Sequence, residues 1–204
     1  MSYAVLQANL AAAGYSPGPL DGRWGAQTLA ALMAFAAQHQ ATDTVHELAR
    51  SAIGAMVGKD ITMPLRIVHF IAQACHESRG WVDLQERGGQ DYFTRLYEGR
   101  ADLGNTEPGD GARYHGRGIF QLTGRANYVT FGRLLGLNLV DHPDTAAQPD
   151  VCVRIAVQYW VSRHLNEKAD QDDFAGITKA INGGINGLAD RLAILERLKA
   201  VWGL

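Results

Sequence analysis

MPLRIVHFIAQACHESRG, residues 63–80, is the stretch whose reading decides the fold. Ile67, Phe70, Ile71 and Ala74 recur at helical spacing, and Leu65, Val68 and Cys75 widen the apolar face almost to a full circle. The pattern predicts a helix buried nearly all round. Pro64 suits the first turn, Asp60 or Thr62 is the expected N-cap, and Gly80 the expected C-cap. The last turn carries His76 and Glu77. Desolvation and the negative end of the helix dipole both favour the neutral, proton-carrying carboxyl there, as a general acid requires. A plain helix end emerging into solvent fits the same residues equally well.

Working outward, the chain of 204 residues suits one domain, or one domain with a small module. Its 47% hydrophobic and 20% charged content fits a globular protein with a substantial core. A formal net charge of −2 gives no electrostatic reason to expect nucleic acid or a membrane surface as partner. Cys75 and Cys152 sit in apolar helical stretches and read as buried free thiols. His76 and Glu77 are not followed by a second histidine one turn later, so the zinc-protease pattern fails, and neither metal nor cofactor is expected. The first residues, MSYAVLQANLAAAGYSPGP, lack a basic start and an unbroken apolar run, so no secretory signal and no membrane insertion are expected.

Residues 3–36 read as helix, Gly/Pro-rich turn, helix, with Val5, Leu6 and Leu10 on the first face and Leu29, Leu32 and Phe35 on the second. LQANLAAAGYSPGPLDGRWGAQTLAALMAF resembles the small helical peptidoglycan-binding module of cell-wall hydrolases, through Gln7, Gly14, Tyr15, Asp21, Gly22, Trp24, Gly25 and Thr28 among others. The resemblance implies a module over 1–40, with Tyr15, Asp21 and Trp24 as its wall-binding residues. A packing lobe is the competing reading of the same helix pair. AQHQATDT, 37–44, reads as a short linker, followed by a helix from Val45 to about Val57.

Beyond the central helix, Trp81 to Ala112 shows little periodicity and reads as long ordered loops with room for a short hairpin. Glu86 lies there, and so do Glu98, Asp102, Glu107 and Asp110, so the pattern alone does not single out a second carboxylate. RYHGRGIFQLTGRANYVTFG, 113–132, is dense in amide, hydroxyl and aromatic groups, which suits the hydroxyls and ring faces of a carbohydrate. Tyr114, Tyr128 and Trp81 are the candidate stacking rings. The final third is helical over 156–164, 174–181 and 188–201, with a glycine-rich stop at INGGINGLADR that positions Asn182, Asn186 and Arg191.

Taken together, HESRGW (76–81), LQERGGQDYF (84–93), YHGRGIFQLTGRANY (114–128) and AINGGINGLADR (180–191) resemble the segments of family 19 glycoside hydrolases, the plant-type chitinases and related lysins. The resemblance spans residues 45–204 and implies an all-α, lysozyme-like catalytic domain of two lobes beside the small N-terminal helical module. It implies Glu77 as general acid, Glu86 as general base and Thr123 as the hydroxyl that holds the attacking water. Gln121, Asn127, Asn182 and Arg191 match cleft residues, and Arg87 and Arg191 are the expected cationic neighbours of Glu86. Glu98 is the rival second carboxylate, and His76 is expected to be structural. Ala126 stands where many chitinases have tyrosine, and the loop after Trp81 is short, which favours bacterial peptidoglycan over chitin.

The expected activity is therefore inverting hydrolysis of β-1,4 bonds in cell-wall glycan by a monomer. The expected setting is an endolysin made in a host cytoplasm and released through a holin-type pore. Chitin hydrolysis, a lytic transglycosylase that uses Glu77 alone, and a non-catalytic wall-binding protein are the alternatives.

Overall fold

The computed structural model describes residues 2–204. It runs α1 (Tyr3–Ala12), α2 (Ala26–Ala37), α3 (Asp43–Val57), α4 (Pro64–Glu77), α5 (Gln90–Tyr97), α6 (Asp110–Arg113), α7 (Arg125–Leu135), α8 (Pro149–Ser162), α9 (Leu165–Asp170), α10 (Phe174–Asn182) and α11 (Leu188–Trp202), with 3-10 turns at Ala101–Leu103 and Pro143–Ala147. Among the described residues there is no sheet, and two isolated antiparallel bridges join Gln85 to Arg117 and Arg117 to Leu122. The all-α, lysozyme-like architecture follows as expected.

Helix α4 is the axis. Every residue from Ile67 to Cys75 is buried, and the helix lies against α2, α9 and α11. Pro64 occupies the first turn, but Met63 precedes the helix as its N-cap without a side-chain bond, so neither Asp60 nor Thr62 caps it. Asp60 instead accepts from Arg66, which also clamps Asp170 at 2.6 Å and so ties the start of α4 to α9. Cys75 and Cys152 are free and buried.

Two hydrophobic clusters result. The larger gathers α1 to α4 with α8 to α11, and Leu6, Leu10, Leu29 and Leu32 belong to it alongside Trp160 and Trp202. The helices of the N-terminal segment thus share one core with α4 and α11. Residues 38–42 join α2 to α3 directly. The smaller cluster holds Tyr114, Leu122, Tyr128, Phe131 and Leu139 with Val151 and Ile155 of α8. The stretch 81–112 departs from the loop reading: it contains α5, whose one buried residue is Phe93, and the short α6. A helix that buries so little apolar surface carries almost no periodic signal.

The exit from α4 is unusual. Arg79, Gly80 and Trp81 all adopt left-handed backbone, with φ of 48°, 68° and 71°. Such conformations cost about 1–3 kcal/mol each outside glycine and persist only where neighbours enforce them. Buried Ser78 is one enforcer: its hydroxyl donates to Ala74 O at 2.7 Å and accepts from Trp81 N at 3.0 Å. The indole of Trp81 donates to Met33 O of α2 at 2.9 Å. His39 Nε2 lies 3.0 Å from Gly80 O.

Ser78→Ala is expected to lower unfolding free energy by about 1–3 kcal/mol, because the Trp81 amide is left buried without an acceptor. The midpoint of a urea titration checks this.

Stability also depends on pH in a definite direction. Burial pushes the Asp110 carboxyl up, but the Arg125 guanidinium and the amides of Glu107 and Thr106 outweigh it and hold the group below the usual carboxylate range. Burial likewise pushes the His69 imidazole down, against the opposing pull of Asp172. Both groups are depressed in the fold, so both stabilise it above their unfolded pKa values and lose that contribution as pH falls. The melting temperature is expected to drop in two stages, first below about pH 6.5 and then below about pH 4. Asp110→Asn should remove much of the second stage, with wild type and variant converging in acid.

Candidate active site

Glu77 and Glu86 reach the same cleft from different elements. Glu77 ends α4, and Glu86 lies in the extended segment whose neighbour Gln85 bridges to Arg117. The cleft, of about 320 Å³, is lined by both carboxylates together with Arg79, Asp83, Tyr92 and Gln121. A further hollow of about 270 Å³ continues past Gln121 along Phe120, Thr123, Asn127, Tyr159 and Arg163. Ala74 and Cys75, just before Glu77, belong to the larger core cluster; Leu122, next to Gln121, belongs to the smaller one, while Leu84, Ile119 and Phe120 pack with the larger.

Glu77 has a specific partner rather than an apolar sleeve. Arg191 of α11, only 2% exposed, donates to Glu77 Oε1 at 2.5 Å through Nη2. Its Nη1 donates to Gln73 Oε1 at 2.5 Å, and its Nε to Asn186 O at 3.2 Å. Gln73 lies one turn before Glu77 on the same face of α4, so helix geometry delivers both acceptors to one guanidinium. Asn182 donates to the same Asn186 carbonyl at 3.2 Å. The glycine-rich turn therefore serves to seat Arg191, and Arg191 orients Glu77 instead of flanking Glu86. His76 Nδ1 pairs with Asp190 Oδ2 at 2.6 Å, a structural role as expected.

Glu86 is held by the second lobe. Its Oε2 accepts from Gly116 N at 3.0 Å, and the Tyr97 hydroxyl lies 3.0 Å from Oε1 and 3.1 Å from Oε2. Its own amide donates to Gly116 O at 2.9 Å. A Cβ at position 116 would stand 3.1 Å from Glu86 Oε2 and 2.7 Å from Gln121 Oε1, so a larger residue there would push both side-chain ends aside. Burial, reinforced by the bond to Glu86, pushes the Tyr97 phenol up to about 12, which keeps it a donor at any working pH. Tyr97 was not among the residues the sequence pointed to. Arg87 lines the same cleft but pairs with Asp83 at 2.5 Å rather than with Glu86.

Glu98, the rival second carboxylate, does not line this cleft. Its two oxygens accept from Gly109 N at 2.6 Å and Gly111 N at 2.7 Å, fixing the loop that enters α6. None of the three expected sugar-stacking rings faces the cleft. Trp81 is 3% exposed, and Tyr114 and Tyr128 are each 0% exposed, so none presents a face to the cleft. Tyr128 instead accepts from buried Arg117 at 2.8 Å and donates to His115 O. The ring that does line the carboxylate cleft is Tyr92, and Phe120 and Tyr159 line its extension. Thr123 and Asn127 line that extension too; the threonine hydroxyl donates to Gln121 O at 2.9 Å and the Asn127 amide to Thr123 O at 2.7 Å.

The residues expected to touch the wall sit within the fold's own contacts. Trp24 stacks between Tyr3 at 5.2 Å and Trp202 of α11 at 5.8 Å, and Tyr15 packs edge-on against Phe35 at 5.3 Å. Asp21 accepts from Arg23 N at 3.0 Å and is exposed.

Known proteins resemble this chain over most of its length. The profile of glycoside hydrolase family 19, described as chitinase class I, matches residues 32–180, and that of a putative peptidoglycan-binding domain matches residues 3–44. The two matches overlap within and just after α2, the helix shared between the N-terminal pair and the main core. A glycosyl hydrolase family 19 domain-containing protein of Haemophilus influenzae is 31% identical over 63% of this chain and 76% of its own length. Chitinase 8 of Oryza sativa is 29% identical over 72% of this chain and 62% of its own. Chitinase C from Streptomyces griseus superposes with a TM-score of 0.69 at 21% identity, covering 85% of this chain and 75% of that one. With most of its length matched and both lobes in place around two cleft carboxylates, the chain belongs to glycoside hydrolase family 19 and carries a peptidoglycan-binding-type segment at its N-terminus.

Proposed function

We propose that this glycoside hydrolase cleaves the β-1,4-linked glycan of bacterial peptidoglycan by single displacement. The observation that carries the reading is the placement of Glu77 and Glu86 on separate lobes, facing one cleft with different partners. Arg191 engages Oε1 of Glu77, so a proton on Oε2 is directed at the leaving glycosidic oxygen. Glu86, which accepts from Tyr97 and Gly116, withdraws a proton from water on the opposite sugar face. The water oxygen bonds to the anomeric carbon as the carbon–oxygen bond to the leaving sugar breaks. Both products end as hydroxyls and the two carboxyl groups exchange protonation states. Inversion needs a gap of ~6.5–9.5 Å between the carboxyls, which leaves room for that water. Delivery from two lobes permits such a gap.

The peptidoglycan-binding match over 3–44 supports wall glycan as the substrate, as do Ala126 and the short segment from Trp81 to Glu86. Action as a lysin after release from a host cytoplasm is part of this proposal. Chitin is the second reading, favoured by relatives that are themselves called chitinases.

Mass spectrometry of digested peptidoglycan tests the proposal. Wild type is expected to yield reducing muropeptides, and Glu77→Gln and Glu86→Gln each to lose roughly a hundredfold or more in rate. Anhydro-sugar products made by an active Glu86→Gln enzyme would sink the two-carboxylate scheme. Cleavage of chitin oligomers with peptidoglycan untouched would select the second reading.

Tyr97→Phe removes a hydroxyl from Glu86 without emptying the site. Its turnover number is expected to fall about tenfold with KM near wild type, the mark of a group that positions a base and not the substrate. Steady-state kinetics on a soluble glycan fragment checks it.

A further inference from the structure

A second cleft, of about 340 Å³, adjoins the first between the C-terminal ends of α2 and α4 and the side of α11. The two clefts share Arg79, which lines both. Arg79, Arg197 and His76 bring nitrogen to its wall, His39 lines it with both ring nitrogens on the carbonyls of Gln40 and Gly80, and Ala37 and Ile194 supply apolar surface. One acid lines it, Asp190, and that carboxylate is already engaged by His76 at 2.6 Å. Arg197 donates to a neutral carbonyl, Ala36 O at 2.8 Å, and its Nε is buried without a partner. Arg79 is 79% exposed at the side chain and reaches Asp83 only at 3.4 Å. In a chain of net charge −2, this wall is a local concentration of donors suited to a carboxylate.

A glycan of N-acetylated sugars is neutral along its backbone and makes no use of such a wall. Peptidoglycan differs from chitin in one respect that does. Alternate sugars carry, on a lactyl ether, a short peptide with free carboxylates and alanine methyl groups. A strand lying against Glu77 must send those peptides out of the cleft, and Arg79 marks where the second cleft opens beside it. We infer that the cleft formed by α2, α4 and α11 is a subsite for the acidic stem peptide of the strand being cleaved. Arg79 and Arg197 bind its carboxylates there, and Ala37 and Ile194 its methyl groups. The inference rests on the peptidoglycan reading above, and it makes the N-terminal helix pair part of substrate recognition through α2.

Two variants away from both catalytic carboxylates test it. Arg197→Gln removes the cation. Gln38→Glu places a negative charge on an exposed residue of the same wall, at the C-cap of α2, where the fold has little to lose. Each is assayed on intact peptidoglycan strands and on the same strands stripped of peptide by an amidase. Loss of a charge-assisted contact predicts a kcat/KM about tenfold lower on the peptide-bearing strands, with the stripped strands cleaved as by wild type. The free tripeptide L-Ala-γ-D-Glu-L-Lys should inhibit wild type and not Arg197→Gln. If both variants cleave peptide-bearing strands at the wild-type rate, the subsite is refuted while the peptidoglycan reading stands. An equal loss on both substrates refutes it as well, since the defect then lies in the glycan site. If wild type cleaves neither strand but does cleave chitin oligomers, the peptidoglycan reading fails and the subsite with it.

Discussion

A guanidinium buried to 2% exposure sits at the join of α4 and α11, and the rest of the molecule is arranged so that Arg191 is never without acceptors. A charge at that depth is tolerated only when its donors are occupied. Glu77, Gln73 and the Asn186 carbonyl supply the acceptors from the central helix and from the glycine-rich turn. Removing one partner of a buried pair typically costs about 3–5 kcal/mol, because the other charge is stranded. Glu77 is therefore part of the internal wiring of the larger lobe. Its position is fixed by the same contact that lets α4 and α11 pack.

Glu86 is held by a different logic. No cation touches it in the structure; a phenol and a backbone amide do, and both belong to the segment of the smaller lobe that runs from α5 to Gly116. Neutral donors fix direction while leaving a lone pair free for water. The two carboxyls thus share one cleft with a charged partner for one and neutral partners for the other.

Much of this was legible in the sequence, and unevenly so. Helix α4 was readable because nine consecutive residues, Ile67 to Cys75, are buried and apolar enough to show their period. Helix α5 was not, since Phe93 alone turns inward and Gly88 and Gly89 precede it. The carboxylate pair could be named from its motifs, whereas Tyr97 could not: it lies eleven residues past Glu86 (97 − 86), and only the path of α5 brings it back. Aromatic residues misled for a related reason. Composition shows that Trp81, Tyr114 and Tyr128 are rich in ring surface, but not which side of the chain the ring faces, and all three turn into the core. Gln73 was the missed clue that could have been read, a lone amide in an apolar helix one turn before the acid.

The left-handed run at Arg79, Gly80 and Trp81 bears on how such a chain can diverge. The three residues are fastened to α2 and to the last turn of α4 through Met33, His39 and Ser78. An insertion before Trp81 would tear that fastening and displace the acid. One after Trp81 meets Val82, which is 67% exposed, and disturbs the amides of Val82 and Asp83, which donate to Ser78 O at 3.0 and 2.9 Å. The wall of the cleft that follows Trp81 is thus tied down by fewer side-chain contacts than the turn that carries Glu77 into it. A change of length there reaches the wall formed by Asp83, Gln85 and Glu86 before it reaches Glu77.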